Sequence, residues 1–250
     1  MSFEVSGDAY DRFMGRYSRS LAPQLADFAG VGAGQRVLDV GSGPGALSAE
    51  LVARGALVSA VDPSPPFVEA LRSRLPGVPA QQAAAEALPF ADGEFDAALA
   101  QLVVHFMRDP VAGLREMARV TRPGGVVAAC VWDHAGERSP LTVFWRAAHD
   151  VASGVHDESD LAGAREGHLV ELFRSAGFGD VVATELVAPH PHTSFEEWWD
   201  PFLLGVGPAG QYVSGLDDAT RAALRERCRE LLPEAPPAVA WAVRGVTTSG

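Results

Sequence analysis

Cysteine is scarce in this chain: Cys130 and Cys228 stand far apart, without metal-ligand spacing. No disulfide framework follows from two such residues. Their sparseness fits a reducing, cytoplasmic setting, and both read as small buried apolar groups rather than reactive thiols. No run approaches the ~20 apolar residues that a membrane span needs. The opening residues 1–8 lack the basic-then-apolar order of a secretory signal. Basic charge is also short, with a formal net charge of −12. The few arginine clusters are Arg72 with Arg74, and Arg221, Arg225, Arg227 and Arg229, the latter alternating with acids as a solvated helix face does. A nucleic-acid partner needs a basic field to neutralise phosphates, so none is expected. Internal repeats and low-complexity segments are missing as well.

What the chain does have is 47% hydrophobic residues in 250, enough for a substantial core. That length suits one domain, or one domain with a modest lid. Apolar runs near 36–40, 57–61, 95–100 and 125–132, with a short weak one near 78–83, alternate with helical patterns near 45–54, 65–75 and 110–120. Such alternation implies a parallel sheet with helices on both faces. Pro65 and Pro66 open one of these helices, with Ser64 as its N-cap. Ahead of the first strand, residues 8–29 read as helical, with Ser20 a candidate N-cap and Gly30 a breaker. Further on, a helix near 167–178 closes on Gly177, and strands are expected at 181–187 and 240–247. The insertion between those strands carries the aromatic stretch 195–202 and a helix near 217–232.

The most informative stretch runs from Val37 through Asp39 into Gly41-Ser42-Gly43-Pro44-Gly45, followed at once by a helix-forming run. Glycines there permit positive φ and let a ligand lie against the backbone at the carboxyl edge of a first strand. Gly41, Gly43 and Ala46 also satisfy a loose G-x-G-x-x-A dinucleotide pattern. Asp39 speaks against a dinucleotide, because a carboxylate at that edge repels a pyrophosphate. It suits a ligand with an ammonium group and no phosphate, such as S-adenosylmethionine. Asp62 ends the next strand, about 20 residues on, where an acid accepts hydrogen bonds from both ribose hydroxyls. Both ligands carry a ribose, so Asp62 does not choose between them.

Four more stretches accompany the glycine turn. Residues 85–96 resemble an "AExLPFxDxxFD" segment, and residues 98–106 a strand with the loop beyond it. Residues 114–125 are similar to an "E-x-x-R-V-L-x-P-G-G" helix and turn, and residues 10–18 to an aromatic and basic leader. Together, over about residues 10–133, the chain resembles the class I S-adenosylmethionine-dependent methyltransferases of the type 11 group. The resemblance implies an α/β fold: a doubly wound, mostly parallel seven-stranded sheet with an antiparallel last strand and helical lid insertions. It implies a single domain over 1–250, with a donor-binding core near 30–133 and lid elements near 1–29, 134–165 and 190–236. It implies methyl transfer from S-adenosylmethionine to a small-molecule acceptor. Donor contacts are then expected from Asp39, Gly41, Ser42, Gly43 and Gly45 of the turn and from Asp62 and Pro63 after the second strand. Ala85, Glu86 and Gln101 should add others, and Tyr10, Arg16 and Tyr17 should close over the methionine end, Arg16 on its carboxylate. One departure stands out: the family usually has an acid before the Ala-Glu pair, and here that position is Ala84. The backbone of Ala85, or Glu86, would then hold the adenine.

A sulfonium methyl is already activated, so the protein mainly orients the reactants and excludes water, and no catalytic triad is required. His105, just beyond the fourth strand, is the candidate base for an acceptor that needs one. His190 and His192 flank Pro191 with no third ligand, so no metal site is expected. Trp132, Phe144, Trp145, Trp198, Trp199 and Phe202 are concentrated late in the chain, as an apolar cover for an acceptor or as anchors for lid helices. Two other functions remain open: a nicotinamide-dependent oxidoreductase, and a non-catalytic module that keeps the donor pocket. The sequence specifies neither the acceptor nor the oligomeric state.

Overall fold

A computed structural model describes residues 5–236 and 238–248; the first four residues of the expected N-terminal lid lie outside that range. Five apolar runs form parallel strands: β1 Arg36–Val40, β2 Leu57–Asp62, β3 Ala80–Gln82, β4 Phe95–Gln101 and β5 Thr121–Trp132. β6 Val181–Val187 and β7 Val239–Val246 complete one seven-stranded sheet in the order β3-β2-β1-β4-β5-β7-β6. β7 is antiparallel to both of its neighbours, β5 and β6. The chain winds outward from β1 to β3, then returns to β4 on the other side of β1. That reversal opens a crevice at the carboxyl ends of β1 and β4, where ligands of such sheets bind.

The central strands are apolar without alternation because both of their faces are covered. In β1, Val37 packs with Leu21, Leu25, Leu47 and Leu51 on one face. Leu38 and Val40 pack with Leu114, Met117 and Phe173 on the other. The covering helices are α2 Arg16–Ala29, α3 Ala46–Ala53, α4 Pro65–Arg74, α5 Pro110–Val120 and α7 His168–Ser175. A third hydrophobic cluster lies off the sheet, joining Phe13 to α6 Thr142–Val151, α8 Phe195–Trp199, α9 Gly207–Ser214 and α10 Asp218–Leu231. Within it Phe144 stacks on Phe202, with centroids 4.5 Å apart and planes 6° apart. No helix among the described residues is long and apolar enough to cross a membrane.

Two local expectations change. The N-terminal helix is not one piece capped at Ser20: α1 Gly7–Tyr10 passes through a π-helical turn at Asp11–Gly15 into α2. Ser20 lies inside α2, and its hydroxyl donates to the Tyr17 carbonyl at 2.9 Å. α2 buries Leu21, Ala22, Leu25 and Ala26 in the sheet core, so only the segment before it packs with the third cluster. Ser64 does occupy the N-cap position of α4, but its side chain bonds no first-turn N–H.

Candidate functional site

The turn after β1 takes its form from three glycines, at φ 69°, 53° and 99° for Gly41, Gly43 and Gly45. The amides of Gly41 and Ser42 donate to the Val61 carbonyl at 2.8 and 3.0 Å, tying the turn to β2. A Cβ on Gly41 would come within 2.5 Å of the Val103 side chain, so no larger residue fits. At Gly43 a Cβ would meet only the Tyr10 ring, at 4.0 Å, and would stand in open space. Asp62 closes the arrangement: one carboxylate oxygen accepts from Gly43 N–H and the other from Ser64 N–H, each at 2.8 Å. Burial pushes Asp62 up to about 6, against the pull of those two donors.

These groups open onto a cleft of about 590 Å³, within the range of small-molecule sites. Tyr10, Gly41, Gly43, Asp62, Pro63, Ala84, Ala85, Glu86 and Gln101 line it. Glu86 also accepts from the amides of Arg108 and Asp109 at 2.7 and 3.2 Å, tying the residue 84–86 wall to the loop after β4. Gln101 donates to the Ser18 carbonyl at 3.0 Å, while its Oε1 is buried with no partner among the described residues.

The comparisons with known proteins agree with this geometry. Residues 38–129, from β1 to within β5, match a family profile described as a methyltransferase domain. An uncharacterized methyltransferase of Mycobacterium tuberculosis is 41% identical over 138 residues, covering 55% of this chain and 54% of that protein. The match thus spans about half the length of that relative. A second, uncharacterized protein of the same organism is 38% identical over 202 residues, covering 79% of this chain and 73% of its own length. The chain belongs to the class I methyltransferase family. The solved YcgJ protein of Bacillus subtilis shares the fold at a TM-score of 0.62 and 20% identity, covering 92% of this chain and 98% of that one.

Not every residue expected at the site of this family member reaches the cleft. Asp39 is 1% exposed and accepts from the Ser48 hydroxyl of α3 at 2.6 Å; burial pushes it up to about 7. Gly45 sits at the N-cap of α3, and Ser42 faces β2 through its amide. Arg16 bonds the carbonyls of Arg12 and, at 3.1 Å, Glu197, so its guanidinium is held against α8. Tyr17 lies in the core with its ring edge-on to Trp132 at 5.9 Å. Sequence reasoning missed Phe67 of α4 and the loop residues Leu102, Val103, Met107, Arg108 and Asp109, all of which line the cleft. Nothing in their spacing announces them. Leu102 has φ 61°, rare for a branched residue, and its N–H is held by the Cys130 carbonyl at 2.9 Å.

Tyr10, Leu102 and Phe106 also line a second, inner cavity of about 30 Å³ beside the cleft. His105, in the 3-10 turn Val104–Phe106, faces this cavity. Burial, with His134 nearby, holds its pKa down to about 3, so its imidazole is neutral and a poor base. Among the late aromatics only Trp132 lines the inner cavity; Trp198, Trp199 and Phe202 pack into the third hydrophobic cluster, off the sheet.

Proposed function

We propose that the chain is an S-adenosylmethionine-dependent methyltransferase acting on a small-molecule acceptor. The observation that carries this reading is Asp62, locked to Gly43 and facing the cleft at the switch point. In this reading the Asp62 carboxylate takes the ribose hydroxyls, and the turn at 41–45 lets the donor lie along the backbone. Two features of the cleft fit such an occupant: open space over Gly43, and the orphaned Gln101 Oε1, which can accept from an ammonium group. The backbone at Ala85, with Glu86, holds the adenine edge, and Tyr10 and Phe67 cover the nucleoside, their rings 5.3 Å apart. Asp39 acts from behind, fixing the start of α3 through Ser48. When bound, the donor supplies an electrophilic methyl group on a sulfonium. The chain's own part is to orient both reactants and exclude water, with the acceptor on the far side of Leu102 and Phe106 and His105 beside it as a neutral hydrogen-bonding group. Residues 5–15 and the 195–232 helices act as the lid. The setting we assign is the cytoplasm, where buried Cys130 and Cys228 remain thiols.

An oxidoreductase reading is disfavoured by charge. Among the described residues, the carboxylate and guanidinium side chains on the cleft are Asp62, Glu86, Asp109 and Arg108, three acids against one base, which repels a pyrophosphate. Calorimetric titration tests the choice. S-adenosylhomocysteine should give a saturable heat and NADH none. Absence of binding at millimolar S-adenosylhomocysteine would remove the methyltransferase reading.

A further inference from the structure

The inner cavity contains an acid that the donor chemistry does not use. Glu158, in the loop between α6 and α7, lines it and is 3% exposed. One of its oxygens accepts from Trp145 Nε1–H at 3.0 Å. Among the described residues no cation answers it: the chain contains no lysine, and no arginine lines this cavity. His105, which lines the same cavity, is neutral, and its buried Nδ1 has no partner among the described residues. Most of the remaining wall is apolar, including Phe13, Met14, Trp132 and Val206. A buried acid without a cationic partner is costly, and burial pushes Glu158 up to about 7. A bound molecule that donates a hydrogen bond would offset that cost, while one bearing a carboxylate or phosphate would add to it.

We propose that this cavity is the acceptor site and that Glu158 is its specificity-determining residue, selecting a compact apolar molecule whose head carries an N–H or O–H donor. The assignment rests on the methyltransferase reading, because it takes the shared wall of Tyr10, Leu102 and Phe106 as the boundary between donor and acceptor. Carboxylates and phosphates are rejected, and plain hydrocarbons forgo the hydrogen bond. At about 30 Å³ the cavity has room for roughly one or two waters. An acceptor therefore enters by displacing the wall at residues 206–209, which starts between Gly205 and Gly207 at φ 70° and 64°.

The test uses one ring with four heads. The full chain, saturated with S-adenosylhomocysteine, is titrated at pH 8, where Glu158 is ionised, with toluene, benzyl alcohol, benzylamine and benzoate. Benzyl alcohol or benzylamine should bind about 10-fold or more tightly than toluene and benzoate, the gain expected of one hydrogen bond to a charged group. The tighter of the two identifies the acceptor's head as hydroxyl or amine. In Glu158→Leu that preference should vanish, with S-adenosylhomocysteine affinity within about two-fold, since Glu158 is not on the donor cleft. Should the leucine variant not fold, Glu158→Gln keeps the shape, and benzylamine should lose its advantage there. Equal binding of toluene, tightest binding of benzoate, or a preference that survives both substitutions would overturn the proposal. So would failure of all four probes while S-adenosylhomocysteine binds. Failure of S-adenosylhomocysteine itself would instead strike the methyltransferase reading first, and this proposal with it.

Discussion

Asp62→Asn separates two roles that one carboxylate performs. In the free protein its oxygens accept from Gly43 and Ser64 amides. The asparagine amide has one acceptor oxygen, so one N–H loses its partner at a cost of about 1–3 kcal/mol. Against this, the substitution removes a carboxylate that burial has pushed from 3.8 to about 6. At neutral pH that shift corresponds to about 3 kcal/mol against the charged form. The two effects oppose each other, so unfolding free energy should change by less than about 2 kcal/mol. Donor affinity has no such compensation. A ribose hydroxyl loses a bond to a charged acceptor, about 1.5–3 kcal/mol, or about 10–100-fold in Kd. The pH dependence follows with a definite sign. Binding favours the ionised carboxylate, so wild-type affinity is full above about pH 6 and should fall about tenfold per unit as pH drops below it. The asparagine variant should show no such slope. Calorimetry with S-adenosylhomocysteine from pH 5 to 8, alongside urea denaturation, measures both quantities. A folded variant with wild-type affinity, or one with the same pH slope, would show that Asp62 only organises the turn.

Gly43→Val should reduce donor affinity further than Asp62→Asn, because its side chain enters the cleft, and should cost about 1–2 kcal/mol for a branched residue at φ 53°; equal affinity would mean the ligand avoids the turn. Glu158 is raised from 4.5 to about 7, so the folded chain keeps a proton that the unfolded chain releases between those values. Its contribution to stability is therefore lost as pH rises through that window, by up to about 3 kcal/mol. His105 and His134, lowered to about 3 and 4, act in the opposite sense below pH 6.5, so Glu158→Gln should gain stability relative to wild type between pH 4.5 and 7 in paired urea titrations. Hydrogen exchange should slow on S-adenosylhomocysteine binding in residues 8–15, which carry Tyr10, and much less in residues 21–29, which are sheet core; unchanged exchange in both would make the leader fixed scaffold. Trp199→Ala should destabilise the lid cluster by about 3–5 kcal/mol in denaturant melts without weakening donor binding, since Trp199 is buried there and away from the cleft.

Much of the fold was legible in the chain because its signals are local. The switch from strand to helix periodicity located β1, β2, β4 and β6 to within a residue or two, and the three glycines marked the turn that only positive φ permits. Asp62 was legible for the same reason, as an acid at the end of a strand at a fixed distance from that turn. Tertiary structure decided the rest. Ser20 looked like a cap, but packing of Leu21 and Leu25 on the sheet carries the helix straight through it. Arg16 has the charge for a carboxylate, yet the carbonyls of Arg12 and Glu197 claim it. Asp39 points to α3, where Ser48 meets it from nine residues away. Glu158 carries no motif at all and becomes notable only because a loop far along the chain brings it to the wall that His105 faces. Spacing encodes which residues share a face of a helix or strand. Burial, and with it every pKa shift and every orphaned polar atom, depends on what the rest of the chain places opposite that face.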